Sequence, residues 1–298
     1  MSKVSNLSIL SSFVGLWLTS YMTNQTQIIV GFILILSFGI VHGANDLLLI
    51  KKIKGKNSIQ YSKILFQYVA IILLAVLLFS FIPWFAMLLF IVVSGYHFGE
   101  QHWNKKLINM NLLYAKLFYF VYGLFILLLL FEFHKNEVLM ILCGITGIEF
   151  NFISISLLFK IVGALLLALS VYNFKTSPIF QKSIAKELLY LIVFTIIFKI
   201  GSLIWGFAIY FIFWHSIPSL FEQIKFLHGA VSTSNLKVYL KAAFIYWLIS
   251  IIGIIALYFI LKDYKIFDSI FFSFLAAITF PHVLVIERMF TTKNKKTE

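Results

Sequence analysis

Ten apolar runs follow one another along the chain, at residues 7–22, 28–49, 64–82, 84–103, 112–133, 152–172, 188–200, 202–221, 242–261 and 269–289. Most reach the roughly 20 residues that a helix needs to cross a hydrocarbon core. The pattern predicts an all-α, polytopic bundle of about ten transmembrane helices. Run 188–200 is short and carries Lys199, which predicts a tilted, broken or partly interfacial segment. Segment 134–151 is too polar to span and reads as a long loop. With four prolines, no internal repeat and no long polar stretch, residues 1–298 read as a single transmembrane domain.

Composition supports the same picture. Of 298 residues, 61% are hydrophobic and only 12% are charged, about half the charged share of a soluble domain. The net charge of +13 would suggest nucleic acid if it clustered on one folded surface. Instead the cations sit in short blocks between apolar runs, as topology signals do. Loop 51–63 carries Lys51, Lys52, Lys54, Lys56 and Lys63. With the other blocks on that side, 18 cations fall on one face of the membrane. Only Lys3, Lys135, Lys199, Lys262 and Lys265 fall on the other, and Lys160 lies within a span. The positive-inside rule then puts the N-terminus outside and the C-terminus in the cytoplasm. Met1 to Tyr21 lacks a small-residue cleavage site and reads as a retained first span. The single cysteine, Cys143, excludes an intrachain disulfide framework and a multi-cysteine metal site.

An ionisable side chain within the bilayer is costly and needs a partner or a function. His134 and His228 fall in expected loops and read as surface residues. The other five histidines occupy even-numbered spans: His42 ends the second, His97 and His102 the fourth, His215 the eighth, and His282 lies in the tenth. In the expected topology those spans run outside to inside, so four helices bring imidazole to one depth in the cytoplasmic half. Neutral imidazole is a common ligand for iron, copper and zinc.

Local motifs sharpen the expectation. His42 and Asp46 are four apart, placing them on one helical face, where the carboxylate can orient a ligating ring. Gly43 permits close helix approach. Glu100 lies three after His97 and is a second candidate to support a ligand. His102 is five after His97, roughly 140° around an ideal helix, so the two share one metal only if the helix unwinds. Pro218 removes a backbone donor and predicts a kink. His215, Ser219 and Glu222 share a face beside it. Pro281 precedes His282 in the same way. The 34 Phe, 14 Tyr and 6 Trp suit an apolar lining, although such residues also fill and anchor membrane helices generally.

At His42-Gly-Ala-Asn-Asp46, His97-Phe-Gly99, Trp214-His215-Ser216 and Pro281-His282 the chain resembles the Brp/Blh family of membrane β-carotene 15,15′-dioxygenases. The motifs come in the family's order and cover most of the chain. The resemblance implies an Fe(2+)-dependent enzyme of the plasma membrane that uses O2 to split β-carotene into two retinal, with a microbial rhodopsin as an acceptor of the product. His42, His97 and His215 match the family's ligand histidines. Ser219 stands where the family has a further histidine, and His102 where it often has an acidic residue. His282 is therefore the replacement candidate for a fourth ligand, and His102 the second.

Two other classes fit less well. Di-iron membrane oxidases need His-x-x-x-His and His-x-x-His-His pairs, and the sequence has none. A transporter would use the polar residues as an ion path, but no inverted repeat is visible and the histidine level is not at the midplane.

Overall fold

The computed structural model describes residues 2–54, 58–107, 110–150, 154–261 and 267–294. Lys56, Lys262, Lys265, Lys295, Lys296 and the expected start of the sixth span lie outside the described residues. Among the described residues each expected span overlaps helix, though not always without a break. In chain order the helices are α1 (Ser2–Thr19), α2 (Asn24–Leu34), α3 (Asp46–Lys54), α4 (Ser58–Phe81) and α5 (Pro83–Trp103). They continue with α6 (Leu112–Phe133), α7 (Lys135–Thr146), α8 (Ile155–Thr176) and α9 (Pro178–Ile200). The last four are α10 (Leu203–Ile209), α11 (Ile217–His228), α12 (Thr233–Leu261) and α13 (Phe267–Asn294). In lipid no water satisfies the backbone, so a long apolar run closes its hydrogen bonds internally as helix. The short polar blocks between runs supply the caps. Thr23, Asn111, Ser154, Ser177 and Ser202 each accept a hydrogen bond from a first-turn N–H, and Pro178 follows Ser177 at the first helical position.

Six of the described helical stretches are long and apolar enough to cross a membrane: Ser62–Phe81, Leu112–Phe133, Ile155–Thr176, Leu203–His228, Thr233–Ala256 and Ser273–Lys293. Val4–Thr19 and Asn24–Gly39 are shorter apolar helices. The expectations fail in four places. Segment 134–151 contains helix α7, because Val138 to Ile145 is apolar enough to pack even though its flanks are polar. Run 188–200 is the second half of a 23-residue helix whose first half is polar. Run 28–49 is interrupted by a π-helical turn at Ile35–Gly39 and a tight turn at 42–45. His228 ends helix α11 instead of sitting in a loop.

The chain forms two compact units interleaved in sequence. The first holds Met1–Gly39, Ile91–Leu139 and Phe150–Pro218. In it α6 is the central helix, with Phe118, Tyr122, Ile126 and Leu130 all buried, and it packs against α8, α9 and α10. The second holds Ile40–Phe90, Met140–Glu149 and Ser219–Glu298. Its core joins Leu49 and Ile50 of α3, Ile64 of α4, and Ile286, Met289 and Phe290 of α13. The outward faces of α4, α8 and α12 expose Leu73, Leu77, Ile161, Leu167, Ile249 and Ile252, as helices solvated by lipid do.

Candidate metal centre

In the second unit the chain leaves helix after Val41 and turns through His42–Asn45. Backbone bonds Gly43 N to Ile40 O and Asp46 N to Gly43 O close the turn. Side chains then fasten it. Asn45 donates to the Tyr239 carbonyl at 2.9 Å, and the Tyr239 hydroxyl donates to Gln223 Oε1 at 2.7 Å while lying 3.2 Å from the His42 carbonyl. A Cβ at Gly43 would sit 3.5 Å from His282 Nδ1, an ordinary contact, so the expectation that glycine is needed there for close helix approach does not hold.

The turn and α13 present two imidazoles, His42 and His282, with ring centroids 4.8 Å apart and planes near perpendicular. His282 Nδ1–H donates to Asp46 Oδ1 at 2.8 Å, with Oδ2 at 3.1 Å, and Oδ2 also accepts from the Tyr68 hydroxyl at 3.0 Å. Asp46 was expected to orient His42; its carboxylate goes to His282 instead. The reason is local: residues 42–45 are turn, so the four-residue helical spacing does not apply. A carboxylate on Nδ1 fixes the tautomer, so Nε2 would be the ligand nitrogen of His282.

The first unit presents a second pair. His97 and His215 have ring centroids 4.7 Å apart at 76°. His97 is held by backbone contact, since a Cβ on Gly99 would run into the Tyr119 carbonyl and one on Gly123 into the Gly95 carbonyl. Small residues at this α5–α6 crossing let two backbones touch. His215 lies in a seven-residue π-helical segment, Tyr210–Ser216, just before Pro218. Such segments are rare and common at functional sites. Gln101 donates to the His215 carbonyl at 2.8 Å, and the rings of Phe98 and Phe211 pack on His215. All four histidines are between 1% and 5% exposed.

The remaining candidates serve other contacts. Glu100 accepts from the Tyr96 hydroxyl at 3.0 Å. His102 donates to Glu187 Oε2 at 2.6 Å and stacks on Tyr122; Lys106 donates to Glu187 Oε1 at 2.6 Å and lies over the Trp103 ring. Burial lowers the pKa of Lys106 from its ordinary value, and the Glu187 carboxylate opposes that shift. Ser219 is fully buried and accepts from Gln223 at 3.2 Å. Glu222 accepts from Lys293 at 2.8 Å. His134, expected at the surface, donates to the Phe198 carbonyl at 2.8 Å.

Sequence reading missed Tyr68, Gln101, Glu187, Gln223 and Tyr239. Glu187 left a signal, as an acidic residue at the edge of an apolar run, but its partners lie 81 and 85 positions away. Chemically, each unit offers two buried imidazoles, a donor type that suits iron, copper, zinc or nickel.

Comparison with family models gives a match over residues 33–290 to the family described as Beta-carotene 15,15'-dioxygenase. Comparisons with curated proteins and with solved structures return no match.

Proposed function

Because the chain belongs to the β-carotene 15,15'-dioxygenase family, we infer that it splits the central double bond of β-carotene with O2. The carbon–carbon double bond breaks, and each new end takes one oxygen atom, giving two molecules of retinal. The observation that carries this reading is the family match over 33–290, which contains all four buried histidines. The four histidines expected as ligands from the sequence, His42, His97, His215 and His282, would hold the Fe(2+). Iron bound there would supply the redox chemistry with O2.

The protein's own residues do the rest. Asp46 fixes the ring of His282, and Tyr68 fixes Asp46. Gln101 anchors the backbone of His215. Phe98 and Phe211 shield His215 with hydrocarbon, which limits water and side reactions. Ser219 accepts from Gln223 and brings no ring nitrogen, so His282 would be the fourth ligand. An enzyme within the lipid meets a substrate that dissolves only in lipid. A plasma-membrane location with the N-terminus outside fits the cation distribution, and membrane-embedded microbial rhodopsin would be a direct acceptor of retinal.

Expression in β-carotene-accumulating bacteria tests the reading. Loss of orange colour with stoichiometric retinal is expected, along with persistent colour in a His97→Ala strain. Unchanged carotene with the intact, inserted protein would overturn it, as would full activity in His97→Ala.

A further inference from the structure

In the second unit α4 and α13 pack along each other and leave a cleft of about 400 Å³, lined by Ile64, Tyr68, Ile71, Leu74, Pro281 and Arg288 among others. Ile64 shares a cluster with Val285, Met289 and Phe290, so Arg288 marks the same end of the cleft as Ile64. Leu74 lies ten residues further along α4, about 15 Å at the helical rise. The cleft is therefore cationic at one end, passes Gln67 and Tyr68, and is hydrocarbon along Ala70, Ile71 and Leu74. Lys63 directly precedes Ile64 on α4 and Lys51 directly follows Ile50 on α3, so further cations flank lining residues at that end.

Arg288 is the only arginine among the 24 cations of the chain. Guanidinium forms paired hydrogen bonds with phosphate oxygens that an ammonium cannot reproduce. A purely hydrocarbon occupant would leave that charge against an apolar group. An anionic amphiphile matches both ends, and basic pockets between membrane helices bind such headgroups. We propose that the α4–α13 cleft binds one anionic phospholipid, its phosphate on Arg288 and one acyl chain along Ala70, Ile71 and Leu74.

The site has a consequence for the pair next to it. Tyr68 lines the cleft and holds Asp46, which holds His282. An acyl chain packed on the Tyr68 ring restricts its motion, so lipid occupancy stiffens the Asp46–His282 contact. The lipid site itself does not depend on the oxidative reading, and its test needs no turnover.

The full chain, stripped of lipid in detergent, is titrated with phosphatidylglycerol or phosphatidylcholine and followed by native mass spectrometry. One phosphatidylglycerol per chain should be retained at least tenfold more tightly than phosphatidylcholine. Arg288→Ala should abolish the preference, Arg288→Lys should restore only part of it, and Ala70→Phe should weaken both lipids by filling the cleft. Inorganic phosphate should not compete at matched concentration. Equal binding of the two lipids by the parent protein would overturn the proposal. So would phosphatidylglycerol retention that survives Arg288→Ala, or that is indifferent to Ala70→Phe.

Discussion

Replacing Asp46 with Asn removes the charge from a side chain 1% exposed while keeping its size. The carboxylate takes the His282 Nδ1–H at 2.8 Å and the Tyr68 hydroxyl at 3.0 Å. The amide oxygen can still accept from His282 but without a charge, and its N–H2 group faces Tyr68, whose hydroxyl would have to turn from donor to acceptor. The loss of an outer partner of a ligating histidine typically weakens metal binding about ten- to a hundredfold, or about 1.4–2.7 kcal/mol. Tyr68→Phe leaves Asp46 charged and removes one hydrogen bond to it, so a smaller effect of about 1 kcal/mol is expected. Iron content after equilibration with a competing chelator, measured on purified and correctly inserted protein, gives both numbers. The order Asp46→Asn, then Tyr68→Phe, then parent is expected in iron affinity and in retinal yield. Iron affinity within twofold of the parent for Asp46→Asn would refute the claim that this carboxylate supports a ligand.

Four further outcomes follow from the geometry. His282→Ala should lose most bound iron, and adding Ser219→His in that background should restore part of it; near-normal iron in His282→Ala would leave three histidines as the full set. His102→Ala should lower thermal stability with iron stoichiometry unchanged, since the ring is committed to Glu187; loss of iron would make it a ligand. Gly99→Ala forces α5 and α6 apart against backbone, and overpacking of about 1–3 kcal/mol should lower the Tm by about 2 °C or more, read by thermal unfolding in detergent. Reporter fusions at the C-terminus should report the cytoplasm, and a periplasmic signal would invert the expected topology.

The helices were legible because lipid imposes one rule on every apolar run, and hydropathy reads that rule directly. Breaks within the runs were not. Nothing in the composition of Ile35–Gly39 announces a π-helical turn, because both helix types bury the same residues. The turn at 42–45 was hidden for a related reason: its polar groups are satisfied by Tyr239, almost 200 positions away. The pairings of His42 with His282 and of His97 with His215 were foreshadowed by their shared expected depth. Asp46 was recognised as a supporting carboxylate, but assigned to the wrong ring by a helical spacing the backbone does not keep. Tyr68 and Glu187 could be found only in three dimensions, since their partners are fixed by tertiary packing.

The π-helical segment at Tyr210–Ser216 sets an angular phase. Each residue of an α-helix turns the chain by about 100°, so a segment wound one residue wider per turn displaces everything after it by about that angle. Winding the same residues as ordinary α-helix, with Trp205 and Gly206 still seated in the core, would remove that displacement. His215 would then swing about a quarter-turn away from Gln101 and His97 with its identity intact. The winding of this stretch is thus as strict a requirement as the histidine itself. A redesign that straightens it to α-helix has to drop one residue to keep His215 where it is.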